Sequence, residues 1–411
     1  MKNSPQNMFA IFSAALMITG TTIGIGILGL PIKTGMAGLL PSLIASVIVW
    51  GIMLGTGIII AREIIASGGA AVDWPTVVQR RLGRSGKVLT VVGYLILIYG
   101  LLVAHLAAGG DVLSIMTGGK LSQGMGVLVF FILSTAIALT GVDLVSKINS
   151  FLMAGLMIFF GVLIYETLKI MNPQYLTYVD WGYLPAAFPI IVCAMAYQLI
   201  IPAVCRRLNN EPKAITKALF IGTLIPLFVN SLWIIVVIGA LPLGGPGSNT
   251  ILAAFKDGLP ATIPLAAAMN SITIKGVALI FSLIVLVASY VLQSTAILGF
   301  FKDLVPAGSE KRRWLVSVVL SFIPPLIVVF LYPGLFLQAL DVIGGVSVIL
   351  LFGLIPSLIL WKDAQGRRPR IIVATCLLII FALLMGLELL QEAGILRISP
   401  HVEYWFNTFQ R

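Results

Sequence analysis

Charge is scarce in this chain. Only 10% of its 411 residues are charged and 59% are hydrophobic, with a mean hydropathy of +1.08. Soluble globular proteins carry about 25% charged residues, so a soluble domain is excluded. Cysteine is nearly absent. Cys193, Cys205 and Cys376 lie in apolar runs with no CxxC spacing, which excludes a disulfide framework and a cysteine-based metal centre. Histidine occurs twice, at His105 and His401, in unrelated regions. No His-Glu-x-x-His or Asp-x-x-x-Asp motif is present. The sequence therefore predicts no enzyme, no metal and no cofactor. The net charge of +11 predicts no nucleic-acid partner, because it follows the pattern of membrane loops described next. Nothing calls for an obligatory protein partner.

Apolar runs fill the whole length, near residues 8–31, 38–61, 88–109, 124–141, 147–168, 186–205, 214–242, 274–301, 314–331, 338–361 and 371–391. Most reach the roughly 20 residues that span about 30 Å of hydrocarbon. Eleven spans with the N-terminus inside put most of the 26 lysines and arginines in inner loops. Only Lys33, Lys120, Lys169, Lys256, Lys275, Arg397 and Arg411 then fall outside. The positive-inside rule thus predicts a cytoplasmic N-terminus and an outer C-terminus. The first run has no small-residue cleavage site, so it reads as a retained span. Asp143 and Lys147, four residues apart, read as a helical ion pair. The tail 392–411 reads as lying on the surface.

Two segments are interrupted. Segment 1 contains Gly20-Thr21-Thr22-Ile23-Gly24-Ile25-Gly26-Ile27-Leu28-Gly29-Leu30-Pro31. Each of its glycines weakens a helix by roughly 1 kcal/mol relative to alanine. Segment 6 contains Val192-Cys193-Ala194-Met195-Ala196-Tyr197-Gln198-Leu199 and then Pro202. Irregular backbone at membrane depth is tolerated only where it is buried in protein or lines a cavity. Segments 1 and 6 are five apart, so two five-helix halves enter the membrane in opposite senses, and matched breaks in such halves point to a transporter core. The chain 1–411 is predicted to be one all-α integral membrane domain with eleven transmembrane helices. Residues 8–168 and 186–361 form a 5+5 inverted repeat with broken helices 1 and 6, and 371–391 adds one helix. The loop 243–273, rich in Gly and Pro, reads as short helices on the outer face.

The run Gly20 to Pro31 resembles the helix 1 signature of bacterial hydroxy/aromatic amino acid permeases. Ala104-His105-Leu106-Ala107-Ala108-Gly109-Gly110, Ala288-Ser289, Leu337-Gln338-Ala339-Leu340 and Leu351-Phe352-Gly353-Leu354-Ile355-Pro356 agree with it. The resemblance covers nearly the whole chain. It implies membership of the amino acid/polyamine/organocation superfamily, a leucine-transporter-like fold, and amino acid symport at the bacterial inner membrane, usually with protons. Alternating access by rocking of helices 1, 2, 6 and 7 is implied with it. Helix 6 departs from the pattern. Where these permeases often show Phe-His-Gly-Asn, the histidine position holds Gln198 and the glycine position Leu199.

The candidate site follows from the breaks. A half-helix starting near Gly24–Gly26 offers free N–H groups and a positive dipole end to a substrate carboxylate. The half-helix ending near Gly20–Thr21 offers carbonyls to an ammonium or a cation. Gly20, Thr21, Thr22, Gly24, Gly26, Tyr99, Cys193, Ala194, Ala196, Tyr197 and Gln198 are the predicted substrate-binding residues. Packing of small residues is the competing reading of the glycines. Tyr197 would close over the substrate and Gln198 bond it, or both would serve ordinary packing.

His105 lies within the membrane and reads as a proton relay or as a neutral, hydrogen-bonded side chain. Gly20, Ile23 and Ser289 are the oxygen ligands of an alternative sodium site, but Ala288 and Tyr290 flank Ser289, so only one small hydroxyl is present. The predicted coupling ion is H+, with Na+ as the alternative. Asp341 reads as the N-cap of helix 10, or as a residue that meets a cation or a proton. No free central charge is evident, so the substrate is predicted to be an aromatic or other neutral hydrophobic amino acid. A sodium-coupled neutral amino acid transporter is the second reading. A channel or a membrane enzyme is remote.

Overall fold

Helices built from long apolar stretches make up the chain, and prolines and glycines decide where each one stops or bends. The computed structural model describes residues 5–68, 73–140, 142–245, 247, 249–269, 271–305, 309–364 and 367–399. The side chains of Asp143 and Lys147, and the tail with His401, lie outside the described residues. Among the described residues nine helices are long and apolar enough to cross a membrane. A bent pair, α1 (Pro5–Thr22) and α2 (Gly26–Ala37), adds a tenth, with a bend of 63°. The apolar helix α5 (Gln123–Leu139) is shorter, at 17 residues.

The remaining elements follow in order. Helix α3 (Leu39–Ala66) follows a tight turn at Gly38, whose φ of +87° favours glycine. A side chain there would also strike the carbonyl of Tyr178. Helix α4 (Trp74–Met116) breaks at Gly83, with φ +80°. Much of the predicted loop 62–87 is therefore helical. Helix α6 (Val142–Leu168) leads into the second broken element. That element comprises α7 (Leu184–Ala194), a 3-10 turn at Gln198–Ile200, and α8 (Ile201–Arg207). Asn209 and Asn210 take left-handed backbone, at φ +49° and +58°, and turn the chain into α9 (Pro212–Ala240). The short helices α10 (Ile251–Lys256) and α11 (Thr262–Ala268) occupy the predicted loop 243–273. They are followed by α12 (Ile272–Leu304) and α13 (Glu310–Leu331). The next span combines α14 (Phe336–Val342), a π-helix (Ile343–Leu354) and α15 (Ile355–Asp363). Helix α16 (Arg368–Glu392) closes the order.

Prolines inside these helices free carbonyls that cannot be left bare in hydrocarbon. Each of four is covered by a side chain from another helix. Pro31 frees Ile27 O, which accepts from Trp233 Nε1 at 2.8 Å. Pro226 frees Gly222 O, which accepts from Thr19 Oγ1 at 3.1 Å. Pro324 frees Leu320 O, which accepts from the Tyr99 hydroxyl at 2.6 Å. In the π-helical spacing of five, Pro356 frees Leu351 O, which accepts from Trp74 Nε1 at 3.3 Å.

Two charged positions depart from expectation. Lys33 is not in an outer loop. The helix continues through Pro31, so Lys33 is a buried residue of α2, 9% exposed. Asp341 does not cap a helix start. Its helix begins five residues earlier, at Phe336, and Asp341 pairs with Lys33 at 2.5 Å instead.

Candidate functional site

The two breaks meet. A Cβ on Gly26 would lie 2.9 Å from Ala194 Cα, so only glycine allows α2 to start this close to the end of α7. Beside the contact is a cavity of about 360 Å³, within the roughly 300–1,000 Å³ range of ligand pockets. Gly20, Thr21, Thr22, Gly24 and Gly26 line it from the first break. Cys193, Ala196, Tyr197 and Gln198 line it from the second. His105 of α4 and Ser289 of α12 complete the predicted residues that it gathers.

Turn bonds hold the first break. Ile23 N donates to Thr19 O at 3.0 Å, Ile27 N to Gly24 O at 3.1 Å and Leu28 N to Ile25 O at 3.1 Å. Among the described residues these leave the N–H groups of Gly24, Ile25 and Gly26 without a backbone acceptor at the start of α2, in residues that line the cavity. That is the arrangement a carboxylate needs. The hydroxyls of Thr21 and Thr22 are spent inside α1, on Met17 O and Ile18 O, both at 2.8 Å.

The structure separates polar groups that are used from those that are open. Tyr197 donates its hydroxyl to Met53 O at 3.2 Å, and Gln198 Nε2 donates to the same carbonyl at 3.3 Å. Gln198 Oε1 accepts from Tyr197 N at 2.9 Å. Both side chains thus fasten the second break to α3, where Gly57 leaves room for the Tyr197 hydroxyl. His105 is fully buried. Its Nδ1 lies 2.5 Å from Leu101 O, which fixes the proton on Nδ1. Its Nε2 has no hydrogen-bond partner among the described residues and is an open acceptor. Ser289 Oγ would lie 3.4 Å from a Cβ on Gly24, and Thr21 O flanks the same point at 3.9 Å.

Three predicted site residues do not line the cavity. Tyr99 faces a separate groove with Gln338 and Glu392, its hydroxyl committed to the carbonyl freed by Pro324. Ala194 is buried against Gly26, and its carbonyl accepts from Asn230 Nδ2 at 3.4 Å. Ile23 is 3% exposed and packs in the core.

Comparison with known proteins agrees with this architecture. The sequence model of the tryptophan/tyrosine permease family matches residues 8–391. The chain belongs to that family, whose members are permeases and not enzymes. It is 24% identical over 387 residues to tyrosine-specific transport system 1 of Haemophilus influenzae, covering 91% of this chain and 94% of the relative. It is also 24% identical to a tryptophan-specific transport protein of Pseudomonas aeruginosa, covering 89% and 88%. Glutamine transporter 2 of Aliivibrio fischeri is 24% identical, covering 84% and 86%. Among solved structures, MhsT in complex with L-phenylalanine superposes with a TM-score of 0.59 at 16% identity, covering 96% of this chain and 99% of that one. A manganese transporter variant of Eremococcus coleocola gives 0.61 at 13%, covering 96% and 88%. These likenesses establish a leucine-transporter-like fold.

Sequence reasoning missed several lining residues, among them Leu97, Leu101, Leu292, Gln293, Ile343 and Phe352. Some were within reach of it. Leu97 and Leu101 precede His105 at steps of four, and Leu292, Gln293 and Ala296 follow Ser289 at helical spacing, so the polar residues already marked both faces. Gln293 matters most. It carries no hydrogen bond among the described residues, so the open amide of the cavity belongs to Gln293 and not to Gln198.

Proposed function

We propose that the chain is a secondary active symporter that imports an aromatic or other neutral hydrophobic amino acid by alternating access, coupled to protons. The observation that carries this reading is the cavity between the two helix breaks. It has free N–H groups at the start of α2 for a carboxylate and a wall from α4, α12 and the π-helix that is apolar except for His105, Ser289 and Gln293. The carbonyls at the end of α1 accept the ammonium group. Relatives named for tyrosine and tryptophan transport agree with the apolar wall. His105 acts as a neutral acceptor, offering Nε2 to an N–H or O–H of the substrate, since Nδ1 is committed to Leu101 O. Helices 1–5 and 6–10 form the inverted halves 8–168 and 186–361. The protein lies in the bacterial inner membrane with its N-terminus in the cytoplasm and its C-terminus outside.

Sodium coupling is the second reading. The closeness of Ser289 Oγ and Thr21 O around Gly24 favours it, since a hard cation takes oxygen ligands. Uptake of tritiated tryptophan, tyrosine, phenylalanine, leucine and glutamine into proteoliposomes, with proton and sodium gradients imposed separately, decides between the two. Accumulation of an aromatic substrate driven by protons alone is expected. A strict sodium requirement moves the ion to Ser289 and Thr21. Lysine or glutamate as best substrate overturns the substrate class.

A further inference from the structure

A buried charge cluster lies away from the cavity. Lys33 stands on α2 about 10 Å beyond Gly26, at 1.5 Å per residue. Its Nζ lies 2.5 Å from Asp341 Oδ2 and over the Phe255 ring, 5.2 Å from the centroid. Asp341 comes two residues before Ile343, which lines the cavity. A third ionisable side chain reaches in from α16. Glu388 is 3% exposed and lies against Gly345, one turn after Asp341. A Cβ on Gly345 would sit 2.9 Å from Glu388 Cβ and Cδ and would collide with Cγ, so the bare glycine forms the slot for the acid. Glu388 interacts electrostatically with both Asp341 and Lys33.

The charges do not balance. One ammonium faces two carboxylates in a site shut off from water, and a buried charge without a counter-charge is strongly unfavourable. The cluster is neutral when the two carboxylates hold one proton between them, as paired buried acids do. Asp341 Oδ2 is taken by Lys33, whereas Asp341 Oδ1 is buried with no hydrogen-bond partner among the described residues and remains open to a protonated neighbour. Tyr183 and Cys193 face Lys33 and Asp341 from the α7 side, and Asp180 faces Tyr183. None of these adds a second cation. Glu392 is exposed one helical turn from Glu388 and interacts with both acids, which gives the cluster an ionisable contact with the outside.

We infer that Lys33, Asp341 and Glu388 form the binding site of the coupling proton. Glu388 carries the proton near Asp341, and Glu392 passes it inward to Glu388 from the outer water. The proton stays while Glu388 is buried against Gly345 and is released as H+ to cytoplasmic water when hydration reaches the slot from the cavity side, past Ile343. This inference rests on the proton-coupled reading above and gives that reading a residue.

The test uses full-length protein in liposomes with tritiated tyrosine, tryptophan and leucine, and an internal pH dye. Counterflow at equal pH reports substrate movement, and gradient-driven uptake with lumen acidification reports coupling. Glu388→Gln is expected to keep counterflow within about twofold of wild type. It should lose at least tenfold in proton-driven accumulation, together with substrate-linked acidification. Glu388→Asp is expected to stay coupled with a displaced pH dependence. Wild-type coupling in Glu388→Gln overturns the proposal and leaves proton symport standing. Loss of counterflow and coupling together in Glu388→Gln, with an unshifted pH dependence in Glu388→Asp, makes Glu388 a packing residue and also overturns it. Sodium-driven uptake without proton movement in the wild type removes the proton reading itself, and this site with it.

Discussion

Among single side chains, the decisive distinction is between polar atoms already spoken for and those left open. His105 Nε2 is open, so a substrate donor is its natural partner. His105→Asn is expected to raise the apparent KM about tenfold, the cost of roughly one hydrogen bond, while uptake keeps its pH profile. A proton relay through His105 would instead abolish proton-driven uptake, and measuring KM and the pH profile together separates the two. Tyr99 gives the opposite case. Tyr99→Phe is expected to lower stability by about 1 kcal/mol in thermal unfolding and to leave substrate affinity unchanged. The sequence puts Tyr99 among the substrate-binding residues, but Tyr99 does not line the cavity. Its partner Leu320 O lies 221 positions away, freed by a proline that the local pattern around Tyr99 does not reveal. For Gln198, which does line the cavity, the structure adds a bond that the sequence leaves open. A glutamine beside a break looks free until the carbonyl of Met53, 145 residues distant, is brought next to it.

At the level of helices, most of the plan was legible. Apolar length marked the spans, and clustered glycine and proline marked both breaks, because these residues act through local backbone geometry. Element ends were less legible. Lys33 looked like a loop residue because charge usually ends a span, but its counter-charge Asp341 is supplied by another helix. The proline caps provide an energetic test. Trp233→Phe strips the Ile27 carbonyl of its donor and is expected to cost about 1–3 kcal/mol, the penalty of an unsatisfied buried acceptor. Adding Pro31→Ala restores a backbone N–H at the required position and should recover much of that loss. A double-mutant cycle on thermal stability measures the coupling. Additive losses would mean that Trp233 contributes by packing alone.

For the molecule as a whole, the natural cysteines report on access to the centre. Cys193 lines the cavity, Cys205 is buried and Cys376 is exposed on α16. In a Cys376→Ser background, a small membrane-permeant thiol reagent is expected to label Cys193, and a transported amino acid should slow that labelling several-fold. Labelling unaffected by any substrate would place the binding site elsewhere.

The glycine-rich interruption of the first span invites the description of a hinge, but its surroundings say otherwise. Helix α9 holds both pieces: Thr19 of α1 bonds to Gly222 O, and Trp233 bonds to Ile27 O of α2. The same helix is tied to α3 through Trp50 Nε1 and Thr223 Oγ1 at 3.0 Å. Tyr197 and Gln198 bind α3 to the second break. A splint fixed on both sides of a joint stops it from flexing. The bend of α1 on α2 is therefore a set angle, and the two pieces are bonded with α3, α7 and α9 into one unit, so the free N–H groups at the start of α2 are held in a fixed arrangement.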